Sequence, residues 1–243
     1  MAPEVAIAAG MALAFAAVHL FGRRLAFLDV QPRSRWLSLA GGVSIAYVFI
    51  HLLPELTAAQ ETFADEAGGV IPFIEHHAFL VALFGLALFY GMERLVSLRV
   101  QPRRCGAPPD PMAFWLHLSS FTVYNFLIGY LLLHREDHAL ESLAFYGVAM
   151  SLHFLVNDKA LRDDHGHLYH RYGRWTLAAA ALAGFAVGAA TEIHELLVAA
   201  IFAFIAGGVI LNVLKEELPE ERDSRFSAFA AGTFGYAVLL LAI

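Results

Sequence analysis

Between His117 and Asp158 the chain sets hydrogen-bonding and ionisable side chains into two otherwise apolar runs, FWLHLSSFTVYNFLIGYLLL and LAFYGVAMSLHFLVNDKAL, joined by the acidic turn HREDHALE. A polar side chain in hydrocarbon is costly without a partner, so His117, Tyr124, Asn125, His153 and Asn157 must face protein or a water-filled path. This hairpin is the expected functional centre. A second set follows it directly: the stretch DKALRDDHGHLYHRYGR holds Asp163, Asp164, His165, His167 and His170. Imidazole nitrogen and carboxylate oxygen bind first-row divalent ions, so a flexible inner loop of this composition is either a cation site or a solvated charge run. A third pair, His51 and Glu55, is four residues apart and shares a helix face. It reads as an interfacial helix end or as the outer point where a metal ion enters.

Helical spacing sorts the central residues by face. His117 and Tyr124 are seven apart and nearly in register, with Asn125 about 80° further round at ~100° per residue. His153 and Asn157 share one face, while Ser151 and Asp158 form a stripe on nearly the opposite side. Ser, Thr, Asn and His commonly hydrogen-bond across membrane helices, so an interhelical cluster stands beside the cation-site reading. Asp158, next to Lys159, also suits the inner end of a span.

Composition dictates the elements that must position these groups. The chain has 243 residues, 59% hydrophobic and 16% charged, against roughly 45–50% and about 25% in ordinary soluble domains. Eight runs nearly free of charge lie near 5–21, 36–53, 74–92, 112–133, 140–157, 175–190, 195–214 and 226–243. Most approach the ~20 residues that a helix needs to cross a bilayer. The expected fold is therefore an all-α, polytopic membrane bundle of eight transmembrane helices, with residues 1–243 forming a single transmembrane domain. Cys105 is the single cysteine, which leaves no intrachain disulfide and no thiolate metal site within one chain. The first run has no basic residue before it and Arg23-Arg24 after it, which suits a retained helix with its amino terminus outside rather than a signal peptide.

Charge supplies the orientation. Fifteen of the sixteen Lys and Arg follow spans one, three, five and seven, and Arg135 alone lies on the other side. Short inner loops carry the basic excess, so this pattern requires an even number of crossings with both termini outside, at the cell membrane. The acidic loop 56–75 has no Lys or Arg; it reads as a solvated outer loop or as a cation-attracting mouth. The stretch RVQPRRCGAPPDPM holds four prolines and reads as an inner loop that cannot be helical throughout.

Taken together, these pieces resemble the ZIP family of zinc and iron permeases. Span two ends His51-Leu52-Leu53-Pro54-Glu55, similar to that family's second helix; span seven closes with Leu218-Pro219-Glu220; and Ala231-Gly232-Thr233-Phe234-Gly235-Tyr236 looks like its last helix. The family's fourth helix usually reads His-Asn-x-x-Asp/Glu-Gly, where this chain has Tyr124-Asn125-Phe126-Leu127-Ile128-Gly129. Its fifth usually reads His-Glu-x-Pro-His-Glu, where this chain has His153-Phe154-Leu155-Val156-Asn157-Asp158. The resemblance implies a divalent-metal permease that moves zinc, iron, manganese or a similar ion as its substrate. It places the ion near Tyr124, Asn125, His153 and Asn157, with His117 or Asp158 recruited. These four equivalents are all neutral, so such a site holds a divalent ion weakly.

Two other functions compete. A non-transporting relative would act as a metal sensor or partner subunit, using His51 and Glu55 outside or His165, His167 and His170 inside. An intramembrane zinc hydrolase would draw on His117, Ser151, His153, Asp158 and His194, but His194 and Asp158 are expected at opposite edges of ~30 Å of hydrocarbon. We expect no enzyme and no permanently bound cofactor. The expected partners are the lipid bilayer and divalent ions, with a homodimer left open. Nucleic acid is excluded by a net charge of −6 and dispersed basic residues.

Overall fold

The computed structural model describes residues 3–22, 34–66, 77–99, 111–134, 140–217 and 225–242. Among these residues the chain is helical and forms no strand. The helices are α1 (Pro3–Phe21), α2 (Arg35–Tyr47), α3 (Leu53–Glu66), α4 (His77–Arg99), α5 (Pro111–Leu131), α6 (Leu140–His165), α7 (Arg174–Ala190), α8 (Glu195–Asn212) and α9 (Phe226–Leu241). A π turn, Val48–Leu52, joins α2 to α3. Among the described residues the nine helices thus make eight rods, one for each apolar run.

Five segments are long and apolar enough to cross a membrane: Glu4–Phe21, Arg35–Ala64, His77–Leu98, Tyr169–Ala190 and Glu195–Lys215. Helix α9 is apolar but shorter. Helices α5 and α6 have 21 and 26 residues, and what dilutes their hydropathy is the polar set already singled out.

Two expected loops are helical instead. The segment expected as an outer loop from residue 56 is helix α3 as far as Glu66. Pro54 does not end the rod because the widened π turn precedes it: the Leu53 N–H bonds to the Val48 carbonyl, five residues back, and absorbs the missing donor of the proline ring. The inner His/Asp stretch is not a flexible loop either. Helix α6 runs through it to His165, stiffened by the Lys159–Asp163 ion pair at 2.6 Å. The chain then reverses at Gly166, whose φ of +49° is the left-handed conformation that glycine adopts freely, and the π turn Tyr169–Gly173 leads into α7. Arg23, Arg24, Arg33, residues 100–110 of the proline-rich stretch with Cys105, Arg135 and Leu218-Pro219-Glu220 lie outside the described residues.

Packing runs from rod to rod in a closed circuit: α1 on α7, α7 on α5, α5 on α4, α4 on α8, α8 on α3, α2 on α6, and α6 back on α1. Helix α9 lies outside, against α2, and ties back to α6 through the Tyr236 hydroxyl, which donates to the Phe145 carbonyl at 2.8 Å. The α5–α7 contact is a close backbone approach. A methyl added at Gly129 would meet the Ala181 carbonyl, and one at Gly184 the Phe126 carbonyl. Although consecutive, α5 and α6 pack their backbones on different neighbours, and their side chains reach each other across the interior of the circuit. That interior holds the polar groups.

Candidate functional site

His153 is fully buried, and its Nε2 lies 2.9 Å from the Tyr124 hydroxyl and 3.0 Å from Asn157 Nδ2. An amide nitrogen only donates, so Nε2 accepts and the ring proton sits on Nδ1. The structure therefore brings together three of the expected central residues. It also spends on them the imidazole lone pair that a metal ion would need.

Asn125 and Asp158 turn the other way. The Asn125 amide donates from Nδ2 to the carbonyl of Phe121, on its own helix, at 2.8 Å. A backbone carbonyl only accepts, so this bond fixes the amide and aims Oδ1 at His19 Nε2, 2.7 Å away. The other ring nitrogen of His19 faces Asp158 Oδ1 at 2.9 Å. Both nitrogens thus face acceptors. The pair holds one proton more than a neutral ring beside a free carboxylate, and as imidazolium and carboxylate it is neutral in sum, which moderates the cost of burying it. Asp158 is 1% exposed, and α6 continues beyond it to His165.

His117 belongs to a separate cluster at the basic end. Its Nε2 is 3.0 Å from Glu93 Oε2, its Nδ1 is 3.1 Å from His165 Nε2, and Lys215 holds the other oxygen of Glu93 at 2.6 Å. The expected inner trio is split: His165 turns inward and is buried, His167 is exposed, and His170 lies half-buried against Tyr169. Helix geometry separates them once the loop is replaced by α6, Gly166 and a π turn. Among the described residues, the three His or carboxylate side chains tight enough to share an ion are His117, Asp164 and His165, not the expected centre. The centre has no anion to offer apart from Asp158, which His19 engages.

At the opposite end, His51 Nε2 lies 3.2 Å from Glu55 Oε1 and 3.4 Å from the Ser142 hydroxyl. This is the pair expected from its spacing, placed at the π turn.

The chain matches no family model and no curated protein.

One face of α6 strings these contacts together. Ser142, Tyr146, His153, Asn157 and Asp164 fall within about 60° of arc at ~100° per residue. Tyr146 donates to the Ile128 carbonyl at 3.2 Å, so the stripe meets α2's π turn at one end and α5 along the rest. A cavity beside it is lined by Glu93, His117, Phe121, Asn157, Asp164 and Asn212, among others.

Sequence reasoning missed His19, Glu93 and Asn212 as participants. His19 carried a usable signal: it is an ionisable residue inside the first apolar run. Glu93 and Asn212 carried a weaker one, since both sit near span ends where polar residues are ordinary.

Proposed function

We propose that the protein is an integral membrane permease for divalent metal cations, a bundle of eight crossings of the kind the ZIP-like motifs imply, seated in the cell membrane with both termini outside. One observation carries the reading. The polar stripe of α6 runs through the interior of the helix circuit for most of a 26-residue helix, about 39 Å at 1.5 Å per residue. Buried polar and ionisable groups in an apolar bundle are expensive and mark pathways. Their donors are mostly neutral, which gives shallow wells that an ion can both enter and leave. The outer surface suits lipid: α4 exposes Phe79, Leu80, Leu83, Phe84 and Leu88 where a water-facing helix would carry charge.

The test is zinc or manganese uptake into vesicles containing the purified protein and an entrapped metal-sensitive dye. Saturable uptake is expected, cut strongly in His153→Ala and Asn125→Ala and little changed in His167→Ala. Wild-type vesicles no leakier to these ions than empty ones would sink the reading, and equal uptake in all three variants would remove the α5–α6 interior from it.

A second reading has one observation in its favour. With the His153 lone pair taken by Tyr124 and Asn157, and Asn125 committed to His19, the centre is knit by hydrogen bonds as a structural core would be. A metal sensor that does not transport would bind metal at an end of the bundle and change shape without flux.

A further inference from the structure

The cluster at the basic end has the geometry of a metal centre. An ionised Glu93 can only accept, so the His117 ring carries a proton on Nε2, 3.0 Å from that carboxylate, and its Nδ1 faces the His165 ring. This is the carboxylate–histidine pairing that orients metal ligands, and Lys215 anchors its far oxygen at 2.6 Å. Nδ1 of His117 lies 3.1 Å from Nε2 of His165. Two imidazole nitrogens on one tetrahedral zinc, each at ~2.0–2.1 Å, stand about 3.3 Å apart, so the observed spacing needs only a small opening. The carboxylate of Asp164 supplies an anionic third donor: one ligand atom from each of the three residues falls within 4.8 Å of the others.

A second, independent observation points to a ligand. The adjoining cavity is lined by Asn157 and Asn212, which are 3% and 6% exposed. Asn157 Oδ1 and Asn212 Nδ2 are buried with no hydrogen-bond partner among the described residues. Buried polar atoms of this sort are ordinarily satisfied, so the cavity, about 10 Å³, suits one small polar ligand such as a water.

We propose that His117, Asp164 and His165 bind a first-row divalent cation of the zinc or cobalt class, with three protein ligands, an open position towards the cavity, and Glu93 as the positioning residue of His117. The site deepens the permease reading by giving the ion an anionic stopping point at the basic end. It also serves the sensor reading, and its test does not require flux. The single carboxylate and two imidazoles give it the charge that the neutral centre lacks.

The experiment is a Co²⁺ titration of the full chain in detergent or lipid nanodiscs, followed by the visible absorption of four-coordinate cobalt, with circular dichroism to verify folding. One equivalent of saturable binding is expected. Asp164→Asn and His165→Ala should weaken it at least about a hundredfold, Glu93→Gln about 10- to 100-fold, and His167→Ala and His170→Ala not at all. If folded wild-type protein shows no saturable cobalt band, the proposal fails. It also fails if folded His165→Ala and Asp164→Asn keep wild-type affinity, or if His167→Ala loses as much as they do. Cobalt binding without vesicle uptake would overturn the transport reading alone, and uptake without cobalt binding would overturn this site alone.

Discussion

His19 and Asp158, 139 positions apart in the chain, meet at 2.9 Å with side chains 1% exposed, and the Asn125 amide closes the other side of the ring. This contact ties α1 to α6 and, through Asn125, to α5. The bonding pattern requires a proton on each line, so His19 should be doubly protonated beside an ionised Asp158, or the carboxyl should carry the second proton. Nitrogen and carboxyl chemical shifts of labelled protein in nanodiscs distinguish these forms. In Asp158→Asn the new amide can donate to the ring, and His19 should become neutral with the fold intact. A neutral ring beside an ionised carboxylate in the wild-type protein would contradict the assignment.

Removing one partner leaves the other charge stranded. His19→Ala should destabilise the protein by about 3–5 kcal/mol, as breaking buried ion pairs does, while the double variant His19→Leu, Asp158→Leu should recover much of that loss. Thermal or denaturant unfolding in a fixed detergent reads both. A single variant as stable as the wild type would mean that the pair is not buried as described.

Tyr124→Phe deletes one of two donors to His153 and leaves Asn157 as the other. The net cost of one such hydrogen bond is about 1 kcal/mol. Half of the imidazole acceptor becomes available, so under the permease reading uptake should hold or rise, whereas under the sensor reading no uptake appears in either form. Vesicle uptake measured together with unfolding separates a structural tyrosine from one that blocks a ligand.

Much of the fold was legible because hydrophobic runs and basic loops report directly on helix count and on which ends lie together. The eight runs became eight rods, and Glu93, His117 and Lys215 met at one end, as the charge pattern requires. Helix ends were less legible. Pro54 reads as a stop until a π turn absorbs it, and the inner His/Asp stretch reads as a loop because charge resembles solvation, although Lys159 and Asp163 pair along a continuing helix. The site was legible in residue type and half legible in partnership. Helical spacing put Asp158 opposite His153, but nothing in spacing says that α1 would lie on that face, so His19 went unpaired on paper. Tertiary neighbours decide such matters, and no local pattern encodes them.

The close approach of α5 and α7 is set by reciprocal glycines, and a methyl at Gly184 would run into the Phe126 carbonyl. Gly184→Leu should therefore push α5 off its seat, at a cost of about 1–3 kcal/mol or more where backbone cannot yield. Because α5 carries His117, Tyr124 and Asn125, cobalt affinity and uptake should fall together. Loss of one without the other would show that the two sites do not share this support.

The polar stripe of α6 has two seven-residue gaps: the one between Asn157 and Asp164 borders the cavity, which Ala160 and Leu161 help to line, and the other lies in the main apolar core. Between Tyr146 and His153 the same face carries Ala149 and Met150, which are 0% and 2% exposed and belong to the main apolar core. Seven residues of helix span about 10.5 Å at 1.5 Å per residue, far enough that no single hydrated ion touches the polar groups on both sides. In the permease reading this is the closed gate of the present conformation, and the flexible thioether of Met150 is the piece most easily moved. Met150→Ala should cost about 2–5 kcal/mol in stability, as methionine truncation in a core does, yet raise zinc uptake per folded molecule in vesicles. Met150→Leu, similar in volume but stiffer, should keep stability within about 1.5 kcal/mol and lower uptake. If Met150→Ala destabilises without raising uptake and Met150→Leu leaves uptake unchanged, the gap is ordinary core and Met150 gates nothing.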